Sequence, residues 1–297
     1  MAATCFGWGK VMSGKSALLL VVLFALNWAT SALAEEAEWR AWPLGQRLSV
    51  GISAYRPRLD TKINLDAGPI QGAIDFETNL GLEDTKSVPV LDLRWRFFKR
   101  HTFRIDYFKL DRSGFGNVPV GVNICIDPDP CIPIDPEWDV NAYVDVEVLN
   151  FGYDYSIIFN EKMNWSLGLG LSAQDFAVGL LTEDPDFPDV PIEGQSEFTA
   201  PLPSLATTFN YAFTDKWILD LALNWLEIDI DLDSSGKFDG RLLGFDAGIR
   251  WQTFKNVGFA LKYTSFDLDM EIDDGDEIGG KINYKYRGPR LGVNVYF

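Results

Sequence analysis

The chain has 297 residues, a formal net charge of −17 and 14% aromatic residues. A balance this acidic argues against a nucleic-acid partner, which needs basic patches, and a chain this aromatic is not an acidic disordered one. After residue 34 no stretch reaches about 18 consecutive apolar residues, so any membrane crossing has to be made by strands rather than by a helix.

In chain order, the first segment reads as targeting. Lys10 and Lys15 precede the apolar run "SALLLVVLFALNWA", and Ala32-Leu33-Ala34 is a small-x-small site just before "EEAEW". The pattern predicts a cleaved secretory signal peptide over residues 1–34, its apolar run being short for a spanning helix of about 20 residues. Its loss removes two lysines and moves the net charge from −17 to −19. Residues 35–45 are expected to be a short periplasmic lead-in, and residues 46–297 the folded body. Cys125 and Cys131, in "CIDPDPC", form a close pair in an exported chain. That predicts a local disulfide pinning a loop; a metal site is the alternative, but no histidine lies near.

Four tight polar turns containing Lys and flanked by aromatics follow: "FFKRHTF", "FNEKMNW", "FTDKW" and "FKNVGF". On both sides of each the sequence alternates, which predicts hairpins. The apolar stripes include Leu91 to Phe97, Phe103 to Tyr107, Leu149 to Ile157, Trp165 to Leu171, Trp217 to Trp225, Leu243 to Trp251 and Val257 to Tyr263, each at every second position, and Leu205, Phe209, Tyr211 and Phe213, interrupted at Thr207. With a first strand (Leu48, Val50, Ile52, Ala54) and a last (Leu291, Val293, Val295, Phe297) the total is ten, with 8–12 as the range. The short turns fall on one side and the long connections 58–86, 114–139 and 181–197 on the other. The fold class expected is all-β: a transmembrane antiparallel up-and-down β-barrel with periplasmic turns and outer loops. A soluble β-sandwich or lipocalin-like barrel is the alternative, but the faces opposite the stripes offer no second apolar set. Within 58–86, "KINLD" and "GAIDFE" are a candidate extra hairpin.

In most strands the alternation reverses partway. Trp217 to Trp225 puts apolar residues at odd positions, and "LEIDIDLD" then puts them at even ones. A belt of bulges is one reading, with Gly288-Pro289 suited to one of them. The other is that strands rise above the bilayer and turn their apolar face inward as a soluble-type core, leaving Glu227, Asp229, Asp231, Asp267, Asp269 and Glu271 facing water.

Opposite the lipid-facing stripes lie the expected lumen charges: Asp92, Arg94, Arg96, Arg104, Asp106, Asp154, Asp220, Asp246, Arg250, Lys262 and Arg290. Six are positive and five negative. Near balance predicts paired charges across a narrow lumen, where an isolated charge is costly; a selective pore tends to carry one dominant sign. A narrow solute path past these charges is the competing reading. No cofactor is expected. "DIDLDSSGKFDGRL" is a weak calcium-loop match at Asp231, Asp233 and Asp239, because position twelve is Leu242 where that loop has Glu. Divalent ions bridging acidic loops to lipopolysaccharide phosphates are a middle reading.

The terminal "LGVNVYF" and the segment "IDFETNLGLEDTKSVPVLDLRWRFFKRHTFRIDYFKLDRSG" give a family likeness. The chain resembles small bacterial outer-membrane β-barrel proteins, the group around the OmpW-like and OmpA-like barrels. The resemblance implies the cell outer membrane as location, lipid and lipopolysaccharide as surroundings, and the barrel-assembly machinery as a partner that reads Leu291, Val293, Val295 and Phe297. Barrel enzymes such as omptin proteases and outer-membrane phospholipase use a histidine near the outer rim. The single histidine here, His101, sits in a short turn at the opposite end, so an enzyme is not expected. The function expected is porin-like passage of small or apolar solutes. The alternative is a closed-lumen structural or surface-binding barrel with an acidic rim that binds divalent cations.

Overall fold

A computed structural model describes residues 42–65, 70–125, 131–184, 187–232, 236–273 and 279–297. The expected signal segment lies outside them. Ten antiparallel strands form the barrel: β1 (Leu48–Tyr55), β4 (Val88–Phe98), β5 (His101–Gly116), β8 (Val140–Phe159), β9 (Met163–Asp184), β10 (Phe187–Ala212), β11 (Trp217–Leu232), β12 (Gly236–Phe254), β13 (Val257–Asp273) and β14 (Gly279–Tyr296). The ring closes where β14 pairs with β1, Val295 facing Val50 and Leu291 facing Ala54. Phe297 exchanges backbone hydrogen bonds with Leu48 at 2.9 and 3.2 Å. Closure gives each of the ten ring strands a neighbour on both sides, so the ring has no open edge, which a strand in lipid requires.

The remaining elements extend the wall and close the long-loop mouth. They are β2 (Arg58–Leu65), β3 (Ile70–Asp75), the single-turn helix α1 (Phe76–Asn79), β6 (Asn123–Ile124) and β7 (Ile132–Pro133). β2 continues the line of β1 along β14 and pairs with β3, so the candidate hairpin in 58–86 forms. The expected loop 181–197 is different: β9 and β10 run through it, with Thr182 opposite Ile192 and Glu197 opposite Ala177. Prolines and acidic residues gave it a loop-like composition, yet two neighbouring strands protect each other's backbone there.

The outward apolar stripes are exposed around the ring: Ile52, Leu169, Leu205, Leu261 and Leu291 are each 56–62% accessible. A continuous belt of this kind is untenable in water and matches a lipid-facing band. Trp217 to Trp225 is about the length of the 9–11 residues that cross the hydrocarbon core in a tilted strand. Aromatics gather at the short-turn end. Trp217 and Trp251 stack at 5.7 Å, and Trp95, Phe97, Phe103 and Tyr153 form a contiguous group.

The phase reversal takes place without bulges. β11 and β12 hold one register from Trp217–Trp251 to Leu232–Gly236, and β13 and β14 hold theirs from Val257–Val295 to Asp273–Gly279. The side chains keep their sides and their chemistry changes. Outward positions pass from Trp225 to Glu227 and Asp229, both exposed, while inward ones pass to Leu242, Phe266, Leu268 and Met270, all buried. The bulge suggested for Gly288-Pro289 is absent. The break lies on the facing strand at Arg56-Pro57, and a methyl group at Gly288 would come 2.2 Å from the Arg56 carbonyl oxygen. Glycine is needed there for that close approach.

Position relative to the band can be tested on one face of β9. Leu169→Arg should cost about 2–4 kcal/mol in a phospholipid bilayer, measured by denaturant unfolding, because it puts a charge in the lipid-facing belt. Leu181→Arg, above the belt, should stay within about 0.5 kcal/mol.

Candidate functional site

Side chains occupy the lumen in layers. At the short-turn end Trp42 and Leu44 from the lead-in pack against Phe159, Ala212 and Ile218. The Arg96 guanidinium stacks 4.1 Å from the Phe159 ring centre, and the Lys99 ammonium lies 5.5 Å from that of Trp42. Gln46 ties this cap to the wall by donating to Gln252 Oε1 at 2.9 Å.

Above the cap is the charged layer. Arg250 donates through Nε and Nη2 to both Asp220 oxygens at 2.7 and 2.9 Å, and Asn210 donates to the same carboxylate at 2.7 Å. Arg104 donates to both oxygens of Asp154 at 2.5 and 3.1 Å. Arg290 donates to Asp92 at 2.9 Å and to Asp106 at 3.4 Å. Thr264 donates to Asp246 at 2.5 Å. Among the described residues Arg94 reaches only the Asn210 carboxamide, at 3.5 Å, and Arg96 donates to the Lys99 carbonyl at 2.8 Å and to Ser156 Oγ at 3.4 Å. Lys262 leans across Gly248, whose added methyl would meet its Cγ at 2.5 Å, and makes no ion pair with a described residue. All eleven expected lumen charges therefore face inward or line the interior, and seven of them form three connected ion-pair groups.

Above this layer is a cavity of about 110 Å³, and above the cavity the apolar core. Val140 to Val148, Phe176, Val178, Leu180, Phe266, Leu268, Ile282 and Tyr284 supply its wall. The hairpin and loops fill its centre with Ile70, Ile74, Phe76, Leu80, Val122, Ile124 and Ile134. They act as a lid over the long-loop mouth. The Cys125–Cys131 disulfide forms, closing the connection between β6 and β7.

The lid is locked by a group absent from the sequence-derived set. Arg112 has no exposed side-chain surface and donates to Glu77 Oε1 and, at 2.5 Å, to Thr61 Oγ1. Glu77 Oε2 in turn accepts from the Thr61 backbone N–H at 2.8 Å. One buried pair thus joins β5, α1 and β2. Its signal was a charged residue in the inward phase of a stretch otherwise turning apolar, Leu110-Asp111-Arg112; Glu77 carried no signal.

The rim outside the core is acidic. Asp111 stands directly opposite Asp145, and Glu147 opposite Asp175. Partial burial, then the Asp111 carboxylate, push the Asp145 carboxyl above its ordinary range. Glu271 and Asp267 meet Lys281 and Lys285 at 3.6 and 3.0 Å. Of the weak calcium candidates, Asp233 lies outside the described residues, the Asp231 side chain is not described, and Asp239 stands opposite Asp229 and Glu271. Among the described residues no three acidic, histidine or cysteine side chains are arranged to hold a metal. His101 Nδ1 is 2.7 Å from the Tyr153 hydroxyl, at the short-turn end.

Among solved structures the chain is similar to the outer-membrane protease OmpT of Escherichia coli, at 10% identity over 84% of this chain and 96% of that one, with a TM-score of 0.52. It also matches the toluene transporter TodX of Pseudomonas putida (9% identity, 89% and 93% covered, TM-score 0.33). A further match is Ail, the attachment invasion locus protein of Yersinia pestis (8%, 84% and 99%, 0.31). No protein-family model and no curated protein matches. At such identities the likeness to OmpT shows the fold: a closed antiparallel barrel of the outer-membrane type.

Two consequences are measurable. Asp220→Ala leaves Arg250 buried without its carboxylate and should destabilise by about 3–5 kcal/mol, whereas Arg250→Met with Asp220→Leu should recover most of that loss in thermal unfolding. Asp145 binds its proton more tightly folded than unfolded, so its stabilising contribution is present in acid. It is lost as pH rises from the ordinary Asp value of about 3.9 through the raised folded value. Asp145→Asn should therefore be more stable than the parent at pH 7, with the gap closing below about pH 3.

Proposed function

We propose that the protein is a closed-lumen barrel of the outer membrane that serves as a rigid platform for surface binding, its ligand-facing part being the acidic, disulfide-pinned long-loop end. The observation that carries this reading is the lumen itself. Cap, ion-pair layer and lid occupy it in turn, and seven of the eleven lumen charges are matched to one another rather than offered to a passing solute. Porin-like passage of small or apolar solutes is the second reading. It draws on the cavity at mid-height and requires the lid to leave the mouth.

The short turns are periplasmic and the lid faces outward, as in barrels of this type. Next to an anionic leaflet, rim carboxylates such as Glu227 and Glu147 call for divalent cations that bridge them to lipopolysaccharide phosphates. No catalytic role is proposed: His101 stands at the periplasmic end in an aromatic group, remote from the rim. The terminal strand is read as the feature the barrel-assembly machinery receives.

The test is planar-bilayer conductance of the refolded protein with and without calcium. The unmodified barrel should be electrically silent, and combined Cys125→Ser, Cys131→Ser and Arg112→Met substitutions, which loosen the lid, should give intermittent openings. Discrete steps from the unmodified protein would replace this proposal with the porin-like one.

A further inference from the structure

Halfway along the lumen the packing opens into the cavity of about 110 Å³, set between the ion-pair layer and the apolar core. Its polar lining is charge-balanced, with Arg104 and Arg290 against Asp106 and Asp246. A charged guest would upset this balance inside a narrow lumen, where an unmatched charge is expensive. The site therefore favours a neutral molecule.

Three further side chains on the lining, Asn150, Asn224 and Ser204, make no side-chain hydrogen bond with any described residue. Each is half-buried and offers a donor and an acceptor together, and polar groups lining a roomy cavity acquire partners. The group that meets such a pair at every point is a hydroxyl, which donates and accepts at once. On the lid side the lining is aromatic: the Phe266 and Tyr286 rings stack at 4.7 Å, with Phe108 5.6 Å from Tyr286. These faces suit the C–H side of a short chain. Gly170 and Gly244 hold the wall back. An added methyl would come 2.5 Å from Ser204 Oγ at the first and 3.4 Å from Asn224 Nδ2 at the second. As to size, a cavity of about 150 Å³ accommodates benzene, so this one takes a guest of about four to six non-hydrogen atoms.

We infer that the mid-barrel cavity is a binding site for a small neutral hydroxyl compound of the short diol or triol class, held by Asn150, Asn224, Ser204 and Asp246 beneath the Phe266–Tyr286 stack. The site lies apart from the rim and does not depend on the lumen conducting.

The probes are glycerol and 1,2-propanediol, with acetate and methylammonium as charged controls. Full-length mature protein labelled with ¹⁵N in its asparagine side chains is refolded into micelles in the presence of each probe, so that entry is not limiting. Saturable shifts of the Asn150 and Asn224 carboxamide signals are expected with the two neutral probes and not with the charged ones. Asn224→Leu removes one hydrogen-bonding partner and should weaken binding about tenfold. Gly244→Ala, whose methyl fits at ordinary contact distance, narrows the cavity and should weaken it too, with the unfolding temperature retained. If the carboxamide signals stay unmoved at molar probe, the cavity holds water only and the inference is overturned. Shifts that persist unchanged in both variants, or that acetate reproduces, overturn it as well.

Discussion

In a closed antiparallel barrel each side chain points either in or out, and an unbroken ladder carries that choice along the whole strand. The rest of this structure depends on that constraint. β11, β12, β13 and β14 keep single registers across the lipid-facing band and far above it, the one shift between β12 and β13 lying beside their short turn, between Trp251 and Phe254. The chain therefore cannot rotate its strands when the surroundings change from hydrocarbon to water. It changes the residues instead. Outward Trp and Leu give way to Glu and Asp at the same parity, and inward Asp, Asn and Ser give way to Val, Leu and Phe. A one-residue slip would expose the core and drive carboxylates into lipid, so the chemistry on both faces holds the register in place.

The two halves of the interior use different physics. Within the band the wall outside is apolar and the lumen narrow, so charges face one another in a medium that screens them poorly. Arg250 with Asp220 and Arg104 with Asp154 adopt the forked geometry that satisfies several donors and acceptors at once. Such pairs add little net stability relative to apolar residues, but the cost of breaking one is high, which favours a unique arrangement of strands. Above the band the interior is an ordinary apolar core into which the loops fold. Arg112 and Glu77 form its buried pair, and they join three elements that come from different parts of the chain.

The rim shows the opposite compromise. Asp111 against Asp145 and Glu147 against Asp175 are like charges placed directly across a ladder, an arrangement that destabilises a sheet. The core and the ladders of β5, β8 and β9 hold the pairs together in spite of that repulsion.

The sequence by itself determined the ten strands, the band, the closing role of Leu291 to Phe297, the inward set from Asp92 to Arg290 and the disulfide. All of these follow from a period of two, from turn chemistry or from short spacing, and each is a local signal. It left open whether the phase reversal meant bulges or a raised core, because both give the same alternation. Composition misled it over 181–197, where prolines and carboxylates occupy strands that protect one another. Only the tertiary structure decided that Arg290 meets Asp92 and Asp106 across separations of 198 and 184 residues, that Arg112 finds Glu77, and that Trp42 closes the lower mouth. Those partners are set by the stagger of the closed ring and by loops returning into its mouth. Stagger and return are properties of the whole ring, and alternation along one strand does not encode them.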